Sequence, residues 1–443
     1  MGLLGVLTLA IGIYLPALRG IAIWDDEPLI YGTGGFGTRS LIEAFTKSFG
    51  NYYRPLTSAS FAIEQMYAHG NTFFYHANNI ILHGITAVLV CYLVLLLTQK
   101  KLAGILAGLF FAAQPMQVGA VAWIGGRTDV LSVFFLTSFL ICLVRFHKTP
   151  HKGWLVASVL MYFLAALTKE QAAAMFPAVP LSIYVFGTKR WQDAIRLSAP
   201  FVAILIVYIL LWKIGAPFPR TANNSFSYTI MLAMRTAAHY GLAFLVPNEP
   251  SLITFTLENY SGFFWIPLGA SIVIGTIFFV RWAWKAYPEL AWITICGLLV
   301  YLPISNCPTV PSLVVGPFRC AQAGIGIACA FGITTAFLYS SKKLLVPALL
   351  GANFVVGIFV TWWGVHQWIT PQAFFAKVVA NDPHFIVGVE FEAHYLDDAG
   401  KPAEAVKITS DVLTWLFATE HWPELLDIQK KAAITPIVKQ RLR

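Results

Sequence analysis

Twelve apolar runs follow one another along this chain of 443 residues, at about 2–23, 74–98, 102–118, 128–146, 154–168, 170–187, 196–213, 229–246, 263–281, 289–305, 319–339 and 344–363. A bilayer's hydrocarbon core of about 30 Å takes about 20 helical residues. Only helices or closed barrels satisfy their backbone groups there, and runs of this length are helical ones. Charged residues make up 12% of the chain, half the share of a soluble domain. The reading is therefore an all-α, polytopic membrane protein. The first run has neither a basic leader nor a small-residue cleavage site, so it is expected to stay as a helix.

Orientation follows from the short basic loops. Lys100 and Lys101 form one, and Arg145, Lys148 and Lys152 a second. Lys189, Arg190 and Arg196, then Arg281 and Lys285, then Lys342 and Lys343 complete the set. All five fall on one side if 229–246 lies along the opposite interface instead of crossing. That run carries Arg235, His239 and Tyr240 and ends in Pro247-Asn248-Glu249-Pro250, poor material for a lipid-facing span. By the positive-inside rule the basic side is cytoplasmic. The expectation is about eleven transmembrane helices in a cell inner membrane, the amino end inside and the carboxyl tail periplasmic. The net charge of +9 is thereby explained without nucleic acid as a partner.

Two domains are expected: a transmembrane part over 1–369, and a soluble helical tail over 370–443. The first outer loop, 24–73, is long and carries helical-period stretches at Ser40–Phe45 and Phe61–Tyr67, suited to lying on a membrane surface. In the tail, Tyr395, Gly400 and Ala403-Glu404-Ala405 match one tetratricopeptide-type repeat. A single such unit cannot bury a core alone. Six cysteines show no C-x-x-C spacing. Cys307 and Cys320 flank one polar loop, and a pair is open to them only if that loop faces an oxidising compartment.

The polar residues that interrupt this pattern gather at one side. Asp25, Asp26 and Glu27 follow the first run directly; adjacent carboxylates repel and gain from a cation or a proton. Tyr53-Arg54 lies in the outer loop. His76, Asn79 and His83 recur at i, i+3 and i+7, one helical face. Trp123-Ile124-Gly125-Gly126-Arg127-Thr128-Asp129 opens the fourth run, Lys169-Glu170 joins two runs, and Arg319 opens a late one. Each also has a plainer reading, as a solvated flank, a helix-to-helix hydrogen bond or a local ion pair. Together, cations beside carboxylates at one level suit a phosphate next to a base. No third and fourth ligands follow the histidines at zinc spacing, so no metal site is assigned. The three acids could hold a divalent ion, but none is expected.

In this order, these residues resemble the GT-C membrane glycosyltransferases, which take sugar from a polyprenyl-phosphate carrier. The likeness is greatest to the transmembrane and tetratricopeptide-repeat O-mannosyltransferases and their bacterial relatives. It covers about residues 1–330. The chain departs from that pattern at Gln114-Pro115, where the family commonly has His-Pro, at Gly119 in place of Glu, and at Phe318-Arg319-Cys320 in place of Glu-Arg-Tyr. The resemblance implies a transfer with inversion to a hydroxyl acceptor, a protein or a glycan, on the periplasmic face. Asp25 or Asp26, with a slight preference for Asp26, would be the base. Arg54, Arg127, Lys169, Arg319, His76 and His83 would hold the donor phosphate. Glu27, Tyr53, Asn79, Asp129 and Glu170 would support them. The only small molecule implied is the polyprenyl-phosphate sugar itself. A transferase to lipid A or polysaccharide, and a flippase for a lipid-linked sugar, are the alternatives. A flippase would call for internal symmetry and mid-membrane charge.

Overall fold

The computed structural model describes residues 2–32, 35–48, 52–215, 226–247, 253–254, 264–305, 314–341, 345–383 and 386–418. Lys342, Lys343, Cys307, residues 248–250, 384–385 and the tail beyond 418 lie outside the described residues. Two compact units divide at Thr370/Pro371.

The first unit is built from α1 (Gly2–Gly12), α2 (Asp26–Ile30), α3 (Leu41–Thr46), α4 (Pro55–Ala68), α5 (Thr72–Thr98), α6 (Lys101–Ala113), α7 (Val118–Ala122) and α8 (Arg127–Lys148). It continues through α9 (Lys152–Thr168), α10 (Ala178–Phe186), α11 (Trp191–Gly215), α12 (Phe226–Leu245), α13 (Trp265–Ala286), α14 (Pro288–Tyr301), α15 (Ala323–Ser340) and α16 (Leu345–His366). A two-residue antiparallel pair, Ile253–Thr254 with Val314–Val315, is the sole sheet among the described residues.

Among the described residues, seven helices qualify as membrane spans by length and apolarity, or eight if α6 and the bent segment Pro115–Ala122 form one broken span. Pro115 supplies the break: it has no N–H to donate, and the chain turns there by 53°. Two shorter apolar helices, Lys152–Thr168 and Pro288–Ile304, accompany them. Helix length alone does not reach eleven. The remaining expected run, 170–187, is a 3₁₀ stretch, Glu170–Met175, followed by nine-residue α10. Pro177 and Pro180 stand where one continuous helix would need N–H donors. The run at 229–246 is a helix, α12, but is not among the long apolar spans. Its buried face carries Arg235, His239 and Tyr240.

Small residues set the closest helix contacts, as expected where packing replaces the hydrophobic drive. A Cβ on Gly332 of α15 would come within 2.4 Å of the Ala103 carbonyl oxygen of α6. Chain reversals at Gln99–Lys100 and at 149–151 return the helices, so the starts of α5 and α8 and the end of α9 share one end of the bundle with α2. Cross-links hold that end together: the Thr57 hydroxyl donates to the Thr168 carbonyl at 3.2 Å, and the Asn79 amide to that of Trp123 at 3.0 Å.

The second unit holds α17 (Pro371–Asn381), α18 (Ile386–Asp398) and α19 (Pro402–Ala418). Val389 and Val412 centre a small core against Val379, Ile408 and Leu413. Phe375 stacks on Phe391 at 4.6 Å. Gly400 makes the α18–α19 turn at φ +75°, where a side chain would strain.

Candidate active site

The acidic residues begin where α1 has ended and the chain has run through an extended stretch. Trp24 takes a positive φ of 56° and stacks on Trp123, ring centres 5.3 Å apart. This turns the two aspartates opposite ways. Asp26 is buried, and both of its carboxylate oxygens are engaged. Oδ2 accepts from the Ile23 N–H at 3.0 Å and Oδ1 from the Gly125 N–H at 2.7 Å. Asp25 stands just ahead of α2 with no side-chain capping hydrogen bond and reaches the surface, and Glu27 in α2 is exposed as well. Protein packed around Asp25 still pushes its carboxyl above the usual range by desolvation.

Burial raises Asp26 further, to about 8, against the two backbone hydrogen bonds that favour its charged form. Folding stability is linked to this proton. An aspartate in the unfolded chain titrates near 3.8, so the folded state holds a proton that the unfolded state has lost between that value and about 8. The contribution is complete below the lower value and is lost as pH rises through the higher one. Asp26→Asn, neutral throughout, is expected to gain melting temperature over the wild type progressively across that window and to hold the gain above it. Thermal unfolding at stepped pH measures this; a constant difference would contradict it.

The segment Trp123–Asp129 is the hub. Gly126 fits it because the backbone closes on itself: a Cβ there would meet the Ala120 carbonyl oxygen at 2.3 Å. The Gly125 N–H holds Asp26, as described. Arg127, also buried, is taken on every side. Its Nη1 pairs with Glu64 Oε2 at 2.9 Å. Nη2 donates to the Tyr75 carbonyl at 2.9 Å, Nε donates to Asn79 Oδ1, and the group lies over the Phe61 ring. Glu64 in turn accepts from Asn78 at 2.5 Å. Each of the three Arg127 nitrogens, expected at the donor phosphate, thus has a protein partner that fixes the segment.

Two residues on, Asp129 Oδ1 accepts from the buried Lys169 Nζ at 2.5 Å. Desolvation draws the Lys169 ammonium down, and the Asp129 charge opposes that. Glu170 leans the other way and receives Arg54 in a fork, Nε to Oε2 at 2.9 Å and Nη2 to Oε1 at 2.6 Å. Burial works to raise the Glu170 carboxyl, but the Arg54 charge and hydrogen bonds outweigh it and hold it at about 2. Tyr52 lies beneath the guanidinium, 4.2 Å from its carbon. Gln171 bridges to the late helices, donating to the Val300 carbonyl at 2.5 Å and the Arg319 carbonyl at 3.3 Å. The fork leaves Arg54 Nη1 outside it, and Lys169 keeps two further N–H groups beyond the one on Asp129.

The histidines separate. His76 packs beside this end: a Cβ on Gly20 would sit 2.8 Å from its Nε2. His83 lies two helical turns deeper, about 10 Å along the axis. It is wedged between Tyr14 and Phe111, with Nε2 3.4 Å from the Ala112 carbonyl. Its surroundings, expected to be the donor phosphate, are here core rings and a backbone carbonyl. The two share a face, as spaced, but not a depth. Tyr53 is buried and its hydroxyl donates to the Phe45 carbonyl at 3.0 Å, tying down the long segment between α1 and α5. Among the described residues no group of three His, Cys, Asp or Glu is arranged to hold a metal.

Two residues here went unassigned from sequence, Glu64 and Gln171. Glu64 alone carried a signal: a single carboxylate in the apolar stretch Phe61–Tyr67 needs a buried partner.

The helices and this polar end define a polytopic, all-α membrane protein. Residues 59–214 match the family model described as dolichyl-phosphate-mannose-protein mannosyltransferase. The chain is similar to human protein O-mannosyl-transferase TMTC2, 33% identical over 140 residues, which is 30% of this chain and 17% of that protein. It is 29% identical to Drosophila melanogaster Tmtc1 over 184 residues, 39% of this chain and 21% of that one. A Caenorhabditis elegans protein O-mannosyl-transferase is 30% identical over 221 residues, covering 46% and 31% respectively. The matched stretches thus span less than a third of these relatives' length.

Proposed function

We propose that this protein is a membrane glycosyltransferase that moves a sugar, mannose in the first instance, from a polyprenyl-phosphate carrier to a hydroxyl of a protein acceptor, on the extracytoplasmic face of the membrane. Asp25 is the base. Asp26 has both oxygens committed to backbone N–H groups, whereas Asp25 is open to an incoming hydroxyl. The acceptor oxygen gives its proton to Asp25 and bonds to the anomeric carbon from the face opposite the phosphate. The anomeric carbon–oxygen bond breaks, its electron pair leaves with the lipid phosphate, and the configuration inverts. Arg54 and Lys169, with Arg319, meet the charge that grows on the leaving group, where preset donors count most.

The observation that carries this reading is that one segment reaches both halves of the chemistry: Gly125 holds Asp26, the neighbour of Asp25, and Asp129 holds Lys169. The test is to supply purified protein in liposomes with polyprenyl-phosphate mannose, labelled in the sugar, and a Ser/Thr-rich polypeptide. Labelled polypeptide and free polyprenyl phosphate in equal amounts are expected. Carrier that crosses the bilayer with its sugar still attached would overturn the reading.

A further inference from the structure

We infer that Glu64 of α4 is a positioning residue for the aspartate pair, acting through Arg127 and the Trp123–Gly126 backbone. The inference rests on the reading just given, in which Asp25 is the base, and adds that the anchored Asp26 sets the placement of its neighbour. Glu64 belongs to the first outer loop, not to a span, and is 1% exposed. A carboxylate is left in such a place only when paired and hydrogen-bonded. Both conditions hold, through Arg127 at 2.9 Å and Asn78 at 2.5 Å.

The chain of contacts leads to one N–H. Glu64 fixes Nη1 of Arg127, while Asn79 and the Tyr75 carbonyl take the other two nitrogens. Asn79 also donates to the Trp123 carbonyl at 3.0 Å, so the segment is pinned on both sides of Gly125. The Gly125 N–H then holds Asp26 Oδ1 at 2.7 Å. Asp25 and the Trp123 ring also act on Asp26. If Arg127 were only a neutralised core charge, Glu64 would matter for stability alone. As an anchor it sets the length of the Gly125–Asp26 hydrogen bond, and its loss reaches Asp26.

The experiment reads Asp26 directly and needs no turnover. Protein in detergent is exposed to a hydrophobic carbodiimide, which modifies protonated carboxyls, at stepped pH, and modification of Asp26 is followed by mass spectrometry. In Glu64→Gln the midpoint is expected to rise by about half a unit or more, because weakening the Gly125 hydrogen bond disfavours the carboxylate. Glu64→Asp should return part of the shift. Glu64→Gln with Arg127→Met removes both charges, so no buried charge is stranded should the single variant not fold, and it should show the same rise. A midpoint equal to or below that of the wild type in the folded variants overturns the inference. In the transfer assay, Glu64→Gln is expected to lose about 10-fold in kcat with KM for the donor within about 2-fold, the pattern of a misplaced base. Normal midpoints with no transfer by the wild type would count against the proposed reaction as well; a shifted midpoint with no transfer would count against the reaction alone.

Discussion

Asp25→Asn is expected to lower sugar transfer by about 10²–10⁴-fold, the usual worth of a placed general base. Asparagine keeps the shape of the side chain but cannot take the acceptor's proton. Donor binding should be unchanged, because no cation in the site pairs with Asp25. Asp26→Asn should cost less, since one amide oxygen still accepts from Gly125 or Ile23 and the lost bond only loosens the placement of its neighbour. The order of the two effects matters. A larger loss in Asp26→Asn would move the base to Asp26 and require its hydrogen bonds to open during reaction. Single-turnover transfer, with donor binding measured separately, distinguishes them.

The second large effect belongs to the buried pair beneath the cation cluster. Asp129→Ala strands the Lys169 ammonium, whose side chain is only 9% exposed. Breaking such a pair costs about 3–5 kcal/mol. The cost is bounded by deprotonation, since burial already draws Lys169 down and the Asp129 charge would no longer oppose it. Both Asp129→Ala and Lys169→Met should therefore lower the melting temperature, and Lys169→Met at least as much, because it strands a carboxylate whose side chain is only 4% exposed. Asp129→Leu with Lys169→Met should recover most of the lost stability, because apolar replacement of a buried pair is often close to neutral. Transfer should remain abolished in the double variant, since Lys169 is assigned to the phosphate. Thermal unfolding in detergent, followed by tryptophan fluorescence, measures the first part. Recovered transfer in the double variant would remove Lys169 from the site.

Much of this was legible from spacing. Apolar runs of bilayer length announced the helical bundle, and alternation put Asp25, Arg127 and Lys169 at one end of it. A local feature explained only by the fold is Gly126, whose close approach to Ala120 leaves room for nothing larger. What spacing could not show was which charges consume one another. Arg127 looked available because its partner, Glu64, sits in a distant loop whose packing only the fold reveals. His83 looked like part of the site because a helical face repeats along its whole length, whereas a site occupies one depth. The run 170–187 read as a span by composition, yet it is a 3₁₀ stretch followed by a nine-residue helix, and at its start Lys169, Glu170 and Gln171 reach three different elements.

The most direct test of the central claim is a cryo-electron microscopy structure of the Asp25→Asn protein with polyprenyl-phosphate mannose bound. The account requires the phosphate oxygens within hydrogen-bonding reach of Arg54 and Lys169, the anomeric carbon facing residue 25, and Arg127 still on Glu64. A phosphate seated on Arg127, or a sugar lying away from residue 25, would contradict it.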